Sequence, residues 1–546
     1  MKSKLTLSII LFSLFFIYEK GNAQSPAWLW AKSAGGTSGD YGIDITTDVS
    51  GNVLVTGGFE SYSITFGTTT LTNVGTYGDI LLVKYNASGN VVWAKSAGGT
   101  SDDKAYGICT DANGNVLVTG SFASSSITFG TTTLTNVSGS DIFIVKYDAS
   151  GNVLWAKSAG GTSVDYGFSI STDANGNVLV TGMFTSTSIT FGTTTLTNLG
   201  ISNIFVAKYN ASGSVLWAKS AAGTSNNVGG RGISTDASGN VLVTGKFKSA
   251  SIAFGTITLN NTGGEDFFIV KYDASGNVLW AKSAVGASDD YGAGISTDAS
   301  GNVMATGSFD SFSITFGTTT LTNTSLSKAD IFIVKYDPSG NVQWDQLAGG
   351  TFHDYGYSIS TDASGNLLVT GSFASPAITF GTTTLTNAGS DDIFVVKYDG
   401  SGNVLWAKSA GGIFLDEVTA ICTDASGNAV LTGYLESDSI TFGTTTVTNA
   451  GPFDIFVAKL DNTTGIADVF TQPGISIFPN PSNGQFKITS SFNIDEIKIT
   501  NLPGQIIYQT KPKQNNISLQ LDEAGIYFIQ ITTNKQTITK KLIVCK

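Results

Sequence analysis

A seven-residue stretch, Trp30–Gly36 with the sequence Trp-Ala-Lys-Ser-Ala-Gly-Gly, returns along most of the chain and limits the possible folds more than any other feature. Copies of its first residue stand, at spacings of 62 to 64 residues, at Trp93, Trp155, Trp217, Trp280, Trp344 and Trp406. A fixed period of this length indicates repeated supersecondary units rather than one large core. The 546 residues are therefore interpreted first as an array of copies of one unit.

Each copy contains four short runs rich in Val, Ile, Phe, Thr and Trp, a composition typical of β-strands. We name them strands A to D; in the third copy, A ends at Asp173, B begins at Val178, C at Ile204 and D at Val215. Turns of the type Asp-Ala-Ser-Gly-Asn, such as the one at Asp148, join A to B and C to D. The Asp side chain caps such a turn and the Gly supplies a positive φ, so the pattern predicts antiparallel hairpins.

Strands B and C are apolar on both faces. In the C strand of residues 142–147, for example, Ile142 points to one face of the sheet and Phe143 to the other. A sheet that is apolar on both sides must be covered on both sides, and the sequence contains no amphipathic helix that would cover it. The copies are therefore expected to cover one another, as four-stranded antiparallel sheets stacked around the axis of a β-propeller.

The two ends of the repeat region favour a closed ring over an open stack. The first tryptophan segment, Trp28–Gly36, has no C strand before it, and the last C strand, which begins at Asp454, has no tryptophan segment after it. Pairing the two leaves no unfinished sheet edge, whereas an open solenoid would need specialised end repeats. The sequence thus predicts an all-β fold: a seven-bladed propeller closed by its first strand, followed by a small β-sandwich.

Each copy also carries an insert between B and C with the sequence Ile-Thr-Phe-Gly-Thr-Thr-Thr-Leu-Thr-Asn or a close variant. The inserts begin at Ile64, Ile127, Ile189, Ile252, Ile314, Ile378 and Ile440. Propeller blades usually need only about 40–50 residues, so each insert is expected to be an additional small hairpin. Because connections alternate between the two ends of a sheet, we expect the inserts and the D–A loops to share one face of the ring.

These motifs carry a specific resemblance. The run Asp-Ala-Ser-Gly-Asn-Val-Leu-Val-Thr-Gly, then Ile-Thr-Phe-Gly, then Asp-Ile-Phe-Ile-Val-Lys-Tyr resembles the SBBP-type β-propeller repeat of exported bacterial proteins, over about Trp28 to Asp461. The resemblance implies a fold and no single activity.

The chain ends differ from the repeats. Lys2 and Lys4, the apolar run from Leu5 to Ile17 and the small residues 21–23 predict a signal peptide over residues 1–23. Residues 24–465 are expected to form the propeller, 466–474 a linker, and 475–546 a separate domain. Residues 24–471 hold 18 basic and 36 acidic groups, whereas residues 472–546 hold 8 and 4. This shift in charge supports the division.

The tail carries a second resemblance. Its Phe478-Pro-Asn-Pro segment, Asn501-Leu-Pro-Gly, Ala524-Gly-Ile-Tyr-Phe and the closing Lys-Lys-Leu-Ile-Val are similar to the C-terminal sorting domain of Bacteroidetes type IX (Por) secretion cargo. This resemblance implies interaction with the secretion machinery, export across the outer membrane, and either release or attachment at the cell surface. No later apolar run predicts a membrane helix.

Copied acidic residues precede strand A in six blades and raise the possibility of a cation in the channel. They are Asp40, Asp103, Asp165, Asp290, Asp354 and Asp416, with Val228 in blade four. One interpretation is a ring of ligands at the channel mouth; the other, which we favour, is solvated residues that cap the loop. We predict no resident cofactor or metal, and expect the C-strand lysines, such as Lys84, to extend past apolar neighbours toward water.

Breaks in the repeat symmetry are the better candidates for ligand binding. Blade four has Arg231 where other copies have apolar or aromatic residues, and it adds Lys246 and Lys248 at the end of strand B. This basic patch is suited to a carboxylated or sulfated ligand. Blade six has Phe352 and His353, which would suit stacking on a sugar. For each group, chance variation on an exposed surface is the alternative.

Near-perfect repetition argues against an enzyme, because catalysis needs differently tuned groups at one place. The net charge of −12 also argues against a nucleic-acid partner. We expect a secreted or surface-displayed monomer that binds a glycan or protein. Two alternatives stay open: a polysaccharide lyase or hydrolase, which predicts unlike residues from different blades in one pocket, and a structural surface protein without a ligand.

Overall fold

The computed structural model describes residues 26–223, 228–284, 286–325, 328–462, 475–533 and 537–545. The predicted signal peptide and linker lie outside these residues. The chain divides into two compact units, one comprising Ser25–Thr463 and the other containing Thr464–Lys546. Within the described ranges all regular structure is β, and no helix has the length and apolar character needed to cross a membrane.

Over the described part of the first unit, the strands form seven sheets of four principal strands in the spatial order A-B-C-D. In blade order, the A strands are Asp40–Thr47, Asp103–Thr110, Asp165–Thr172, Val228–Thr235, Asp290–Thr297, Asp354–Thr361 and Asp416–Thr423. The B strands are Val53–Phe59, Val116–Phe122, Val178–Phe184, Val241–Phe247, Val303–Phe309, Leu367–Phe373 and Ala429–Leu435. The C strands are Asp79–Tyr85, Asp141–Tyr147, Asn203–Tyr209, Asp266–Tyr272, Asp330–Tyr336, Asp392–Tyr398 and Asp454–Leu460. The D strands are Val91–Ala97, Val153–Ala159, Val215–Gly223, Val278–Ala284, Val342–Ala348, Val404–Ala410 and, for blade 7, Trp28–Ala34.

The first strand completes the last sheet, as the two ends of the repeat predicted. Trp28–Ala34 pairs antiparallel with Asp454–Leu460, with Ala31 opposite Ala458 and Lys32 opposite Val457. The opening residues of the repeat region therefore form the outer edge of blade 7.

The sheets stack because their middle strands have two apolar faces. All seven residues of the B strand Val53–Phe59 and of the C strand Asp79–Tyr85 are buried. Each core cluster of the ring draws its side chains from two neighbouring blades. Leu54 of blade 1, for instance, packs with Val118 and Phe143 of blade 2. The same holds across the closure, where Ile455 of blade 7 packs with Val55 of blade 1.

The A strands form the innermost layer of the ring. Each contacts the A strand of the next blade, and the A strand of blade 7 contacts that of blade 1. At the end of these strands nearest the A–B turns, side chains link the blades: the Thr110 hydroxyl donates to the Thr47 carbonyl at 3.0 Å. The ring thus encloses a central channel whose wall is built from the A strands.

The inserts are hairpins, as predicted, but they do not project from the face of the ring that carries the D–A loops. Their strand pairs are Ser63–Phe66/Thr69–Thr72, Ser126–Phe129/Thr132–Thr135, Ser188–Phe191/Thr194–Thr197, Ser251–Phe254/Ile257–Asn260, Ser313–Phe316/Thr319–Thr322, Ala377–Phe380/Thr383–Thr386 and Ser439–Phe442/Thr445–Thr448. In the second hairpin, Ile127, Phe129 and Leu134 are buried against Trp93 of the preceding blade and Val153 of their own blade. The hairpins therefore lie along the outer strands and cover the junctions between blades, with their threonines outward.

At six of the seven junctions the repeated tryptophan joins one blade to the next; the exception is Trp406 of blade 6, whose Nε1 has no partner among the described residues. The indole Nε1 of Trp155, in the D strand of blade 2, donates to the Ala211 carbonyl in the C–D turn of blade 3 at 3.1 Å. Its ring lies against Gly213 of the same turn, where a Cβ atom would come within 3.0 Å of the indole. Gly213 has φ of +82°, so the turn itself also favours glycine.

The C-strand lysines are buried ion-pair partners, and the expectation that they extend to water was wrong. Lys84 lies 2.9 Å from Asp48 of the A–B turn in the same blade, and both side chains are almost fully buried. Its Nζ also donates to the Ala149 carbonyl of the next blade at 3.1 Å. The matching pairs are Lys146–Asp111, Lys208–Asp173, Lys271–Asp236, Lys335–Asp298, Lys397–Asp362 and Lys459–Asp424. The turn carboxylate supplies a buried countercharge that the sequence pattern did not reveal.

The tail unit consists of the strands Ile475–Phe478, Gln485–Asn501, Ile506–Thr510, Gln514–Gln520, Gly525–Thr533 and Thr537–Val544. The second of these is long and shared. Its first half pairs with Ile475–Phe478 and Gln514–Gln520, and its second half with Ile506–Thr510 and Gly525–Thr533. Both halves bury side chains, such as Ile488 and Ile499, in one core. The long strand is thus shared by both parts of the tail sheet, and its two halves contribute to one core.

Candidate functional site: the mouth of the central channel

Every A strand within the described residues has a β-bulge at its fourth residue, where one residue has no partner on the B strand. A bulge re-aims side chains and interrupts their alternation. As a result, two consecutive residues of blade 1, Ile43 and Asp44, both line the channel. The bulge residues, all of which line one cavity, are Ile43, Tyr106, Phe168, Arg231, Ala293, Tyr357 and Thr419.

This cavity has a volume of about 510 Å³. Lys246, Tyr291 and Glu417 line it near the loop face, the face that carries the D–A loops, and A-strand isoleucines such as Ile233 line it deeper in the channel. The volume falls within the usual range of small-ligand sites, about 300–1,000 Å³. All seven blades contribute a side chain, so the cavity depends on closure of the ring.

Arg231 is the cation of this cavity that has no direct ion pair among the described residues, although the charge of Glu265, which pairs with Lys246, acts on it from a distance. Its guanidinium carbon lies 4.5 Å from the centroid of the Phe168 ring. Among the described residues it makes no ion pair and donates no hydrogen bond. The side chain is exposed to the channel, yet the surrounding protein desolvates it, and this desolvation lowers the pKa of Arg231 from its usual value. A cationic group in such a position favours an anionic ligand.

Lys246 lies in the same cavity but is already paired. Its Nζ is 2.5 Å from Glu265 Oε2, and the Glu265 side chain is almost buried. The ammonium also lies 5.5 Å from the centroid of the Tyr291 ring. Lys246 therefore adds little net positive charge to the cavity.

Two carboxyl groups line the cavity, and burial raises the pKa of both. The pKa of Asp44 is raised to about 7, although its oxygens accept the amides of Ile108 and Ile45, each at 2.8 Å. The pKa of Glu417 is raised by burial, against a 2.7 Å hydrogen bond from the Tyr434 hydroxyl. Both groups are therefore shifted toward their neutral forms and offer less negative charge than their number suggests.

Aromatic rings form much of the remaining wall. Tyr106 and Phe168 are 5.6 Å apart between ring centroids and nearly perpendicular, and Tyr357 stacks on Tyr355 at 5.9 Å. Burial raises the pKa of Tyr106 to about 12, so its hydroxyl stays protonated and can donate a hydrogen bond. The cavity combines flat apolar surfaces with hydroxyl groups, an arrangement suited to a ring-shaped polar ligand.

The structure brings only two of the five candidate binding residues together. Arg231 and Lys246 line the cavity. Lys248 is exposed and does not line it, and Phe352 is half exposed on the D–A loop of blade 6. His353 also lies outside the cavity: its Nδ1 accepts the Ala329 amide at 3.1 Å. Its ring stacks on Tyr355. Tyr355 in turn stacks on Tyr357 of the cavity wall.

The acidic residues that begin the A strands do not surround the channel mouth. Asp40 is fully buried, and its carboxylate accepts hydrogen bonds from the Ser61 hydroxyl at 2.8 Å and the Gly36 amide at 2.8 Å. The first residue of the strand faces the junction between blades, whereas the second, Tyr41, faces the channel side. These residues therefore cap the loop, as the favoured interpretation had it, but they are buried and not solvated.

A second set of buried acids was missed. Asp79, the first residue of its C strand, accepts the Val74 amide at 2.8 Å through one carboxyl oxygen, and the other oxygen has no partner among the described residues. Burial raises its pKa to about 6, and Asp103 of the next blade adds to the shift. The equivalent residue of blade 3 is Asn203, and the next A strand begins there with Val228 instead of Asp. The junction of blades 3 and 4 thus lacks both carboxyl groups.

Sequence reasoning also missed most of the aromatic wall. Tyr106, Phe168 and Tyr357 occupy the position at which the copies differ most in size and polarity, whereas flanking positions repeat closely. This variability is the signal that would have identified them. Within the described ranges, no cluster of three or more His, Cys, Asp or Glu residues is arranged to hold a metal ion.

Residues 476–545 match the family described as the secretion system C-terminal sorting domain. The sorting domain marks the chain for type IX secretion and an extracellular or surface location. The repeat region is similar to an uncharacterized WD repeat-containing protein of Acanthamoeba polyphaga mimivirus, with 29% identity over 184 residues, 30% of this chain and 13% of the relative. It is also similar to the regulatory protein FlaEY of Caulobacter vibrioides, with 28% identity over 114 residues, 20% of this chain and 12% of the relative. The chain thus spans a small part of either relative's length.

Among solved structures, the WD40 β-propeller domain of Doa1 is similar with a TM-score of 0.39 and 9% identity, over 80% of this chain and 97% of that one. A puromycin hydrolase is similar with a TM-score of 0.39 and 11% identity, over 86% of this chain and 61% of that one. Neither likeness bears on activity, and the architecture is established by the strand pairing itself.

Proposed function

We propose that this exported protein is a binding scaffold that holds an extracellular ligand, a glycan or a protein segment, in the mouth of its central channel. The observation that carries the proposal is the convergence of seven bulge residues of six different types on one cavity in an otherwise repetitive ring. Repetition explains the core, but it does not explain why Arg231 and the aromatic residues break symmetry at the bulge position, which faces the channel.

The path of the chain supports this use of the mouth. The chain leaves the propeller after Leu460, and the Asn462 amide donates to Asn428 of an A–B turn at 3.1 Å. The last described residues of the propeller unit therefore lie on the face that carries the A–B and C–D turns, opposite the loop face near which Lys246 and Glu417 line the cavity.

A glycan array probed with the mature secreted chain tests the proposal. We expect retained glycans, and we expect Arg231→Gln to weaken their binding by about tenfold or more, because hydrogen bonds to a charged group contribute about 1.5–3 kcal/mol. The matched control is Lys248→Gln, which removes a neighbouring exposed cation outside the cavity. Equal loss in both variants would place binding elsewhere. If the chain binds no glycan and no protein from the extracellular medium, the result favours a structural surface protein without a ligand.

A second candidate is a polysaccharide lyase or hydrolase at the same place. The observation that favours it is that Asp44 and Glu417, two carboxyl groups with raised pKa values, line the same cavity of unlike residues as Arg231. Against it, both carboxyl groups already accept hydrogen bonds from the protein. Mass spectrometry of retained glycans after long incubation separates the two: intact glycan supports a binder, and shortened glycan an enzyme.

A further inference from the structure

The cations of blade four, which together suggested a basic patch, have different surroundings in the fold. Lys246 is neutralised by Glu265 at 2.5 Å, and Lys248 lies outside the cavity. Only Arg231 faces the cavity without a direct ion pair among the described residues, and the acid whose charge acts on it, Glu265, is already paired with Lys246. An anionic ligand therefore meets one guanidinium, not a continuous basic surface.

On this basis, and resting on the proposed function, we propose that the channel mouth recognises the end of a glycan that carries a single carboxylate, a terminal uronic or sialic acid, through Arg231. The guanidinium is a planar fork that matches the two oxygens of a carboxylate. Its position over the Phe168 ring, 4.5 Å from the centroid, leaves its edges available for such a pair.

The walls of the cavity favour a sugar ring next to that carboxylate. Tyr106, Tyr291 and Tyr357 offer flat faces and hydroxyl groups around Arg231, and Ser169 and Ser358 add further hydroxyls. A carbohydrate residue presents an apolar ring face and several hydroxyls at once. A peptide C-terminus has the carboxylate but lacks the ring hydroxyls, so we favour the glycan.

Charge argues against a heavily sulfated polymer. Such a chain needs many cations for its many anions, whereas residues 24–471 hold 36 acidic and only 18 basic groups. Within the cavity, Lys246 is already paired with Glu265, so Arg231 can compensate one carboxylate but not several sulfates.

Matched glycans test the proposal with the mature secreted chain. The probes are oligosaccharides ending in glucuronic acid or in N-acetylneuraminic acid, their carboxyl-reduced counterparts, and the neutral oligosaccharides sulfated at the terminal residue. We expect binding of a carboxylated probe at least about tenfold tighter than that of its reduced counterpart. Arg231→Gln should abolish this preference, and Arg231→Lys should restore part of it, because the charge returns without the fork. Unchanged thermal unfolding confirms that each variant is folded.

Other outcomes overturn the proposal in distinguishable ways. Equal binding of carboxylated and reduced probes, or equal or tighter binding of the sulfated probes, would overturn it and leave the proposed function intact. A carboxylate preference that survives in Arg231→Gln would also overturn it. Binding of proteins alone would refute the glycan end group. Failure to bind any of these probes or any extracellular protein would refute the proposed function as well.

Discussion

At the scale of single residues, five of the seven joints between blades consist, among the described residues, of one tryptophan, one glycine and one lysine. Trp155 and Lys146 both lie in blade 2, and both donate to the Ala211 carbonyl in the C–D turn of blade 3. Gly213 of that turn allows the indole to approach closely. The motif that announces the repeat is therefore also the contact that joins one copy to the next.

We predict that Gly213→Ala lowers the free energy of unfolding by about 1–3 kcal/mol more than Gly365→Ala, because the new methyl group is forced against the Trp155 ring. The comparison is matched in backbone strain, since φ is +82° at Gly213 and +78° at Gly365. At Gly365 a Cβ atom would meet nothing within 4 Å. Urea unfolding of both variants measures the difference, and equal losses would mean that the indole contact is not tight.

We also predict that Lys146→Met destabilises the protein by about 3 kcal/mol, because removing one partner of a buried ion pair leaves an uncompensated charge. Asp111, its partner at 2.8 Å, is nearly buried. The double variant Lys146→Met with Asp111→Asn should recover part of the loss. The control is Lys157→Met, an exposed lysine of the neighbouring D strand, which should change stability little. Equal effects of the two single variants in urea unfolding would argue against the pair.

At the scale of strands, the bulge explains why the fold was more predictable than the site. The alternation of apolar residues in B and C predicted stacked sheets, and the turn residues predicted the hairpins. No sequence rule revealed that each A strand would gain a residue after positions such as Gly42 and so bring both Ile43 and Asp44 into the channel. The site depends on that local irregularity, and periodic patterns do not encode it.

The acids that begin the C strands give the propeller a pH dependence. Burial raises the pKa from 3.8 to about 6 at Asp79, Asp141, Asp266 and Asp392. A raised pKa means that the folded state holds the proton more tightly, so this contribution to stability is complete below pH 3.8 and is lost as the pH rises through about 6. The turn acids such as Asp111 have lowered pKa values, and their contribution is lost in the opposite direction, as the pH falls below 3.8.

We therefore predict a higher thermal midpoint at pH 5 than at pH 8. Asp79→Asn should reduce the difference between the two, because it removes one of the titrating groups, whereas Asp438→Asn, a change at an exposed acid, should leave it unchanged. The charged group that acts on Asp79 from the next blade is Asp103. Calorimetry at the two pH values measures the shift, and a midpoint that rises toward pH 8 would contradict the assignment.

At the scale of the whole molecule, the count of repeat segments predicted the closure. The repeat region begins with an unpaired D strand and ends with a sheet that lacks its D strand, so the first strand can complete the last sheet. The placement of the inserts was predicted wrongly. Their alternation of Ile64, Phe66 and Leu71 with threonines marked one face for burial, but only the assembled ring provides the junction between blades on which that face packs.

Closure is the claim on which the cavity depends, because each of the seven blades contributes a side chain to it. The most direct measurement is disulfide trapping in the mature chain with Ala31→Cys and Ala458→Cys, which stand opposite each other in the paired strands. We predict an intramolecular bond, found by peptide mapping without reduction, because directly paired residues are close enough for a disulfide. Ala31→Cys with Ala207→Cys, the equivalent residue of the blade 3 C strand, should give none. A bond in the second pair, or a bond between molecules in the first, would contradict the closed ring and the site within it.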